Sequence, residues 1–521
     1  MKTPAPKPSR LKKIFRRVFF VLASLATLGA LFVAEENWRG SRAWRNYKSA
    51  MEAKGERFDV ARLIPPKVPD DENFAACEYL AHSFEQSPES PGWTNIDSSL
   101  RYVINLPRRS GWPYGLSADL TVWAAAFQSG PPNPELAPGG PPNLQARRLH
   151  DRRLAASAEN SQTHSQGGAT PEKIEPVQAA AIVLDHLKVC EPVLSELRAA
   201  SERRYCRFNV PYEAWTGPTQ EQAAGSTLQH LAVVKGLFRV LALHASAELA
   251  AGRTDQALAD VNVMFRLEDG LKDEPLLISQ LVHYSSTAVL LKPISEGLAE
   301  RRWSDAQLHI LQERLVQTDL LTSTVRALYG ERDILANRFL SGQISQGHLF
   351  MLRGWDYFEE LNYNRAFQEA VLPRINLAER EVNPDTGHAC DLAMSNYPPR
   401  GAFIHHRIFA ALVLPGFHAP ENAAAVQTDI DLVTVGCALE RYRLADGTYP
   451  DKLEALVPRF ITTLPHDIIN GQPLKYRRTA NGKFVLYSVG WNEKDDGGVI
   501  ATNKDGNPDR NHGDWVFEYP D

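Results

Sequence analysis

Cysteine is scarce in this chain, and scattered. The 521 residues hold five, Cys77, Cys190, Cys206, Cys390 and Cys437, with no C-x-x-C pair among them. That excludes a zinc ribbon and a thioredoxin-like motif. Cys190 and Cys206 are nearest in sequence, but on one continuous helix they would stand roughly 24 Å apart, beyond disulfide reach. Free buried thiols are therefore expected. A surplus of either charge is missing too: a net charge of -5 offers little to nucleic acid or to any polyanion. No G-x-S-x-G elbow, H-E-x-x-H helix, Walker loop or dinucleotide fingerprint occurs, so no familiar hydrolytic, nucleotide or redox chemistry is legible. His405 and His406 are adjacent and would point apart on a helix. Asp385, His388 and Cys390 are close only along the chain, which is not how a Cys–His nucleophile pair is normally built. No catalytic residue is assigned.

Acidic residues are absent from the N-terminus until Glu35, while Lys2, Lys7, Arg10, Lys12, Lys13, Arg16 and Arg17 make residues 1–17 a basic tail. Val18 to Ala34 then carries no charge and as a helix would rise roughly 25 Å, enough for a short membrane span. Small-x-small cleavage sites are poorly formed, with Phe32 two positions before Ala34 and Leu28 before Ala30, which favours an uncleaved anchor over a signal peptide. The basic flank places the N-terminus in the cytoplasm and the chain after Glu35 outside it, on a single-pass cell-membrane protein. Trp38 and Trp44, with Arg39, suit the far interface.

Residues 35–130 read as a juxtamembrane helical region, with a proline-rich connection at Ile64–Pro69 and a helix over Ala118–Phe127 capped by Ser117. Residues 131–171, which contain PPNPELAPGGPP and SAENSQTHSQGGATP, are a low-complexity insertion. From 175 to 345 helix follows helix. Val177–Arg203 and Leu228–Ala251 are long candidates, Gly252 is a stop, Asp273-Glu274-Pro275 a start, and Ser304-x-x-Gln307 a capping box. The stretch AELAAGRTDQAL is similar to the middle of a tetratricopeptide repeat and has a fainter echo in LAERRWSDAQL, about 50 residues on. An irregular repeat-derived domain and an ordinary helical bundle both fit. Residues 346–420 are mixed, with an aromatic-rich segment around Trp355.

The C-terminal stretch 423–521 has its own logic. Ala423–Leu444 is an amphipathic helix, Gly447 supplies its left-handed end, and two alternating strands, Leu474–Arg478 and Lys483–Val489, join through Asn481-Gly482. A last strand, Trp515–Tyr519, returns to the sheet. The loop Trp491–Asp514 is dense in oxygen donors, among them Asn492, Asp495, Asp496, Asp505 and Asp514, the ligand type that calcium prefers. The order Tyr442-x-x-x-x-Gly447-x-Tyr449-Pro450, Leu464-Pro465-His466-Asp467, Ser488-Val489-Gly490-Trp491-Asn492 resembles the head of the major pseudopilins of type II secretion. That resemblance implies a long helix on a small antiparallel sheet, a calcium loop and an envelope location. Asn492 stands where those proteins usually have Asp. The pseudopilin junction at the N-terminus is absent, so a filament subunit of the usual kind is not expected.

The fold class expected is mainly α: a transmembrane helix, a helical ectodomain and a C-terminal α+β pilin-like head. The expected function is a membrane-tethered envelope scaffold that binds a protein partner and no nucleic acid. Its alternative is an exported hydrolase with an unrecognised site.

Overall fold

The computed structural model describes residues 10–83, 119–128, 174–210, 212, 229–340, 353–384, 418–504 and 508–517. The low-complexity stretch 131–171, together with Asp385, His388, Cys390, His405 and His406, lies outside them.

The chain is mostly helical. It begins with α1 (Arg10–Ala53), one unbroken 44-residue helix roughly 66 Å long. The apolar segment and the juxtamembrane helix are thus one rod, because no Pro interrupts it and Gly29 and Gly40 are tolerated inside a long helix. Two short helices, α2 (Glu78–Ser83) and α3 (Leu120–Gln128), follow. Asp119 caps α3, accepting from the N–H groups of Thr121 and Val122; Ser117, the cap expected from the sequence, lies outside the described residues.

The expected Val177–Arg203 helix is two, α4 (Pro176–Leu187) and α5 (Glu191–Ala200), separated by a tighter turn at Lys188–Cys190. Pro192 is the cause, since it has no N–H to continue the ladder. Then come antiparallel hairpins: α6 (Gln229–Ala250), α7 (Thr254–Leu271), α8 (Leu277–Ala299), α9 (Asp305–Val316) and α10 (Leu320–Leu340). α8 begins after Pro275 rather than around it, because the side chain of Glu274 turns into the core and accepts from Ser279.

The two repeat-like segments do form the same device. After α6, Arg253 N–H bonds to Glu248 C=O with Gly252 at φ +77°; after α8, Arg302 N–H bonds to Gly297 C=O with Arg301 at φ +54°. Both are Schellman endings. Ser304 and Gln307 make the expected capping box, and the Gln307 amide also reaches Thr254 Oγ1 (3.1 Å) and Asp255 Oδ1 (2.7 Å), tying the start of α9 to the start of α7.

α11 (Arg353–Ala366) runs into a wider turn, Phe367–Val371, and a small hairpin of β1 (Ile375–Asn376) and β2 (Glu381–Val382). α12 (Ala419–Asp446) ends on Gly447 at φ +81°. It packs against α8, α9 and α10 on one side and the C-terminal sheet on the other. That sheet has the order β3 (Lys475–Arg478), β4 (Phe484–Ser488), β7 (Trp515–Phe517), all antiparallel, with Tyr476 opposite Leu486 and Leu486 opposite Phe517. Gly482 sits at φ +73° in a three-residue turn closed by Thr479 and Lys483. The expected loop 491–514 holds a further hairpin, β5 (Ile500–Thr502) with β6 (Pro508–Gly513). One apolar core continues from Phe74 through the helices to Phe517, and a second, smaller cluster gathers Tyr363, Phe367 and Val371 with Leu277 and Leu328.

Two carboxylates of α12 are paired with arginines from elsewhere in the chain. Asp431 on α12 takes both terminal nitrogens of Arg380 (2.9 and 2.7 Å), whereas Asp429 takes a single nitrogen of Arg510, Nη2, on both its oxygens (2.8 and 2.7 Å). Cys77, Cys190, Cys206 and Cys437 are free thiols. Burial raises the Cys77 and Cys190 thiols to about 11 and that of Cys437 to about 12.

Candidate functional site

The feature that most constrains function is the junction of α1 with the rest of the molecule. Every residue from 14 to 32 is exposed, and none of the most apolar window is buried in the chain. The helix is long and apolar enough to cross a membrane. The comparable apolar window in α6 is largely buried and serves the core. From Val33 onward α1 changes character. Val33, Glu36, Asn37, Gly40, Ser41, Trp44, Tyr47, Lys48 and Met51 turn at least partly away from solvent, a stripe at helical spacing.

That stripe docks on α11. A Cβ on Gly40 would lie 2.2 Å from the carbonyl oxygen of Gly354, and one on Gly354 would lie 2.3 Å from that of Glu36. Two glycines therefore let the backbones touch. Gly354 N–H donates to Asn37 Oδ1 (2.6 Å), and the Trp355 indole N–H donates to Glu36 Oε2 (3.2 Å). Trp38 is exposed as an interfacial residue would be. Trp44 is not: it is 4% exposed, between Tyr47 and Phe58, because the docking stripe includes it. Beyond the helix, Glu56 accepts from Arg332 (3.0 Å) and Gln368 (3.0 Å). The buried α11 residue Glu360 has no hydrogen-bond partner on either carboxylate oxygen among the described residues. Burial pushes its carboxyl up to about 9, with the positive charge of Lys48 opposing.

The acidic loop is the second region. Asp495 accepts from the Tyr487 hydroxyl (2.9 Å) and Gly497 N–H (3.1 Å) and faces Lys475; the tyrosine hydrogen bond, first, holds its carboxyl below the usual range. Asp514 is buried and accepts from the N–H groups of Asp496 (3.2 Å) and Gly498 (2.6 Å). Desolvation raises it. Asn492 donates to Asp496 Oδ2 (3.0 Å). Asp505 lies outside the described residues. The loop thus brings Asn492, Asp496 and Asp514 together, with Asp495 facing the sheet, and it closes on its own N–H groups. Among the described residues no three His, Cys, Asp or Glu side chains stand around one point at coordinating distance. Among the described residues the side-chain oxygens of Asn492, Asp495, Asp496 and Asp514 are turned to hydrogen-bond donors of the loop and of β4.

The residues of the resemblance have structural work. Tyr449 is buried, donates to Glu440 (2.8 Å) and stands edge-on to Phe484. Asp467 accepts from Ile469 and Val489 N–H groups, clamping its turn to the end of β4.

Sequence reasoning missed a cleft of about 650 Å³ between the β1–β2 hairpin and the start of the acidic loop, lined by Arg374, Asn376, Glu381, Asn383, Trp491 and Glu493 among others. Arg374 is buried and lies over the Trp491 ring. Glu381 and Glu493 have no ion-pair partner among the described residues. The two sides of the cleft, Arg374–Asn383 and Trp491–Glu493, are more than 100 positions apart, and no local pattern joins them.

Comparison of the chain with family models, curated proteins and solved structures returned no match.

Proposed function

We propose that this protein is a membrane-tethered envelope scaffold, exported apart from its basic tail, whose body receives a protein partner and whose C-terminal module is pseudopilin-like. One observation carries the reading: α1 is bare and apolar over its first half and docked by backbone contact over its second. A flexible tether would leave the body free to tumble. A rigid helix shared between bilayer and body presents one face at a set height above the membrane, which suits holding a partner. The pseudopilin-like reading of the module rests on the motif order and on a helix packed against a three-stranded sheet. Calcium forms no part of the proposal.

The test is capture of the intact chain from its own membranes after mild cross-linking. A stoichiometric protein partner, lost when Gly354→Leu undocks α1, supports the scaffold. Recovery alone, with turnover of an ester or glycoside substrate, would replace it with the hydrolase. The cleft at Arg374, with two carboxylates that have no ion-pair partner among the described residues, is the observation on that alternative's side.

A further inference from the structure

The stripe of α1 that docks on α11 leaves the opposite side of the same helix uncovered. Leu31, Glu35, Trp38, Arg42, Arg45 and Ser49 recur at three- and four-residue intervals, and all are exposed. At a helical period they stand about half a turn away from Gly40, Trp44 and Tyr47. Arg39 is exposed beside them. The face runs without a break from the bare apolar surface at Leu28 and Leu31, so what surrounds that surface also meets the start of this face.

Height along an unbroken helix can be counted. The uncharged run ends at Ala34, and the backbones of Trp38, Arg42 and Arg45 lie roughly 6, 12 and 16 Å beyond it. Helical side chains lean toward the N-terminus, which here is toward the apolar segment, and the arginines do so. Arg39 Nη1 reaches Glu36 (3.1 Å), the Arg42 guanidinium lies over the Trp38 ring at 5.2 Å, and Arg45 Nε donates to the Ser41 carbonyl (3.3 Å). Each charge is drawn back by about one turn. The three guanidiniums therefore stand roughly 3, 6 and 10 Å past Ala34. A bilayer is about 40–45 Å thick with its headgroups and about 30 Å without them, which leaves a headgroup layer of roughly 5–7 Å on each side. Arg39 and Arg42 fall within that layer, and Arg45 stands just outside it.

Charge then decides what the face receives. Glu35 is exposed on it, and Arg39 is paired with Glu36. Arg42 and Arg45 have no carboxylate partner among the described residues. An aromatic ring takes the flat face of a guanidinium and leaves its N–H edge free, and Arg45 gives up only its Nε–H. The Nη groups of both arginines remain as forks that suit phosphate oxygens. An acidic protein would match the charge, but it would have to displace lipid at the depth of Trp38.

We infer that the exposed face of α1 at Trp38, Arg42 and Arg45 is a binding surface for the headgroups of anionic phospholipids. The inference rests on the reading of α1 as a membrane anchor. Lipid phosphate on one side and α11 on the other would fix the rotation of α1 about its own axis, and with it the face that the body turns to the bilayer.

The experiment uses the full chain in phosphatidylcholine vesicles that hold a trace of phosphatidylglycerol with a photoreactive group near its phosphate. Cross-links should map to residues 35–49, and mapping by residue separates them from any on the basic tail at the other end of the span. Unlabelled phosphatidylglycerol should compete, whereas millimolar inorganic phosphate should not. Arg42→Gln combined with Arg45→Gln should weaken that competition about 25-fold, about fivefold for each basic residue at an anionic surface. Both side chains are exposed, so folding is not at risk. Lys54→Gln, which removes an exposed cation roughly 30 Å past Ala34, should change nothing. Equal labelling by a phosphatidylcholine probe, or competition that the double variant leaves unchanged, overturns the surface while the anchor stands. Release of the chain by alkaline carbonate overturns the anchor and the surface together.

Discussion

Replacing Glu360 with glutamine should remove a pH dependence that the α1–α11 junction builds into the protein. Glu360 is fully buried with no hydrogen-bond partner on its carboxylate among the described residues. Its carboxyl is raised from 4.5 to about 9 by burial. The sign follows from proton counting. Between those two values the folded chain holds a proton that the unfolded chain releases, so stability is fullest below about pH 4.5 and declines as pH rises toward 9. Each unit costs about 1.4 kcal/mol. Between pH 4.5 and 7 the wild type should therefore lose about 3 kcal/mol relative to Glu360→Gln, which cannot ionise. Urea unfolding of the detergent-solubilised chain at several pH values, wild type and variant in parallel, measures the difference directly. Hydrogen exchange in α11 would locate it. A wild-type-minus-variant stability that stays level from pH 5 to 8 would refute the reasoning, because it would mean that water or another group solvates the carboxylate.

Other perturbations follow from the same contacts. Gly354→Leu or Gly40→Leu should undock α1, costing about 1–3 kcal/mol or more, and expose the stretch around Trp44 to protease; Gly29→Ala, with nothing within 4 Å, should be neutral. Arg380→Ala should strand the buried Asp431 carboxylate and destabilise the chain by about 3 kcal/mol, read as a lowered denaturant midpoint. Millimolar calcium should leave the melting temperature unchanged, since Asp514 is already hydrogen-bonded to the loop's own N–H groups and Asp495 to Tyr487 on β4. A rise of several degrees that Asp514→Asn abolishes would restore the ion.

Local signals carried much of the helical architecture. Gly252, the Ser304–Gln307 box, Gly447 and Gly482 each act where their chemistry said they would, because each depends on a few neighbouring residues. What could not be read depended on distant partners. Nothing around Trp44 says that it will meet Phe58 and a docked helix instead of an interface. Gly40 and Gly354 are separated by more than 300 positions, and their backbone contact exists only in the folded chain. The acidic loop also depends on partners that the sequence does not show: its oxygens suggested a cation, and in the folded chain Tyr487 and the loop's own N–H groups donate to Asp495 and Asp514.

The central claim is that α1 anchors a body that stands outside the cytoplasm. Paired reporters fused after Asp521, one active only inside the cytoplasm and one only outside, test it most directly. The account predicts activity from the outside reporter alone, in a fraction that alkaline carbonate does not strip from the membrane. A bright cytoplasmic signal, or release of the protein by carbonate, would contradict it.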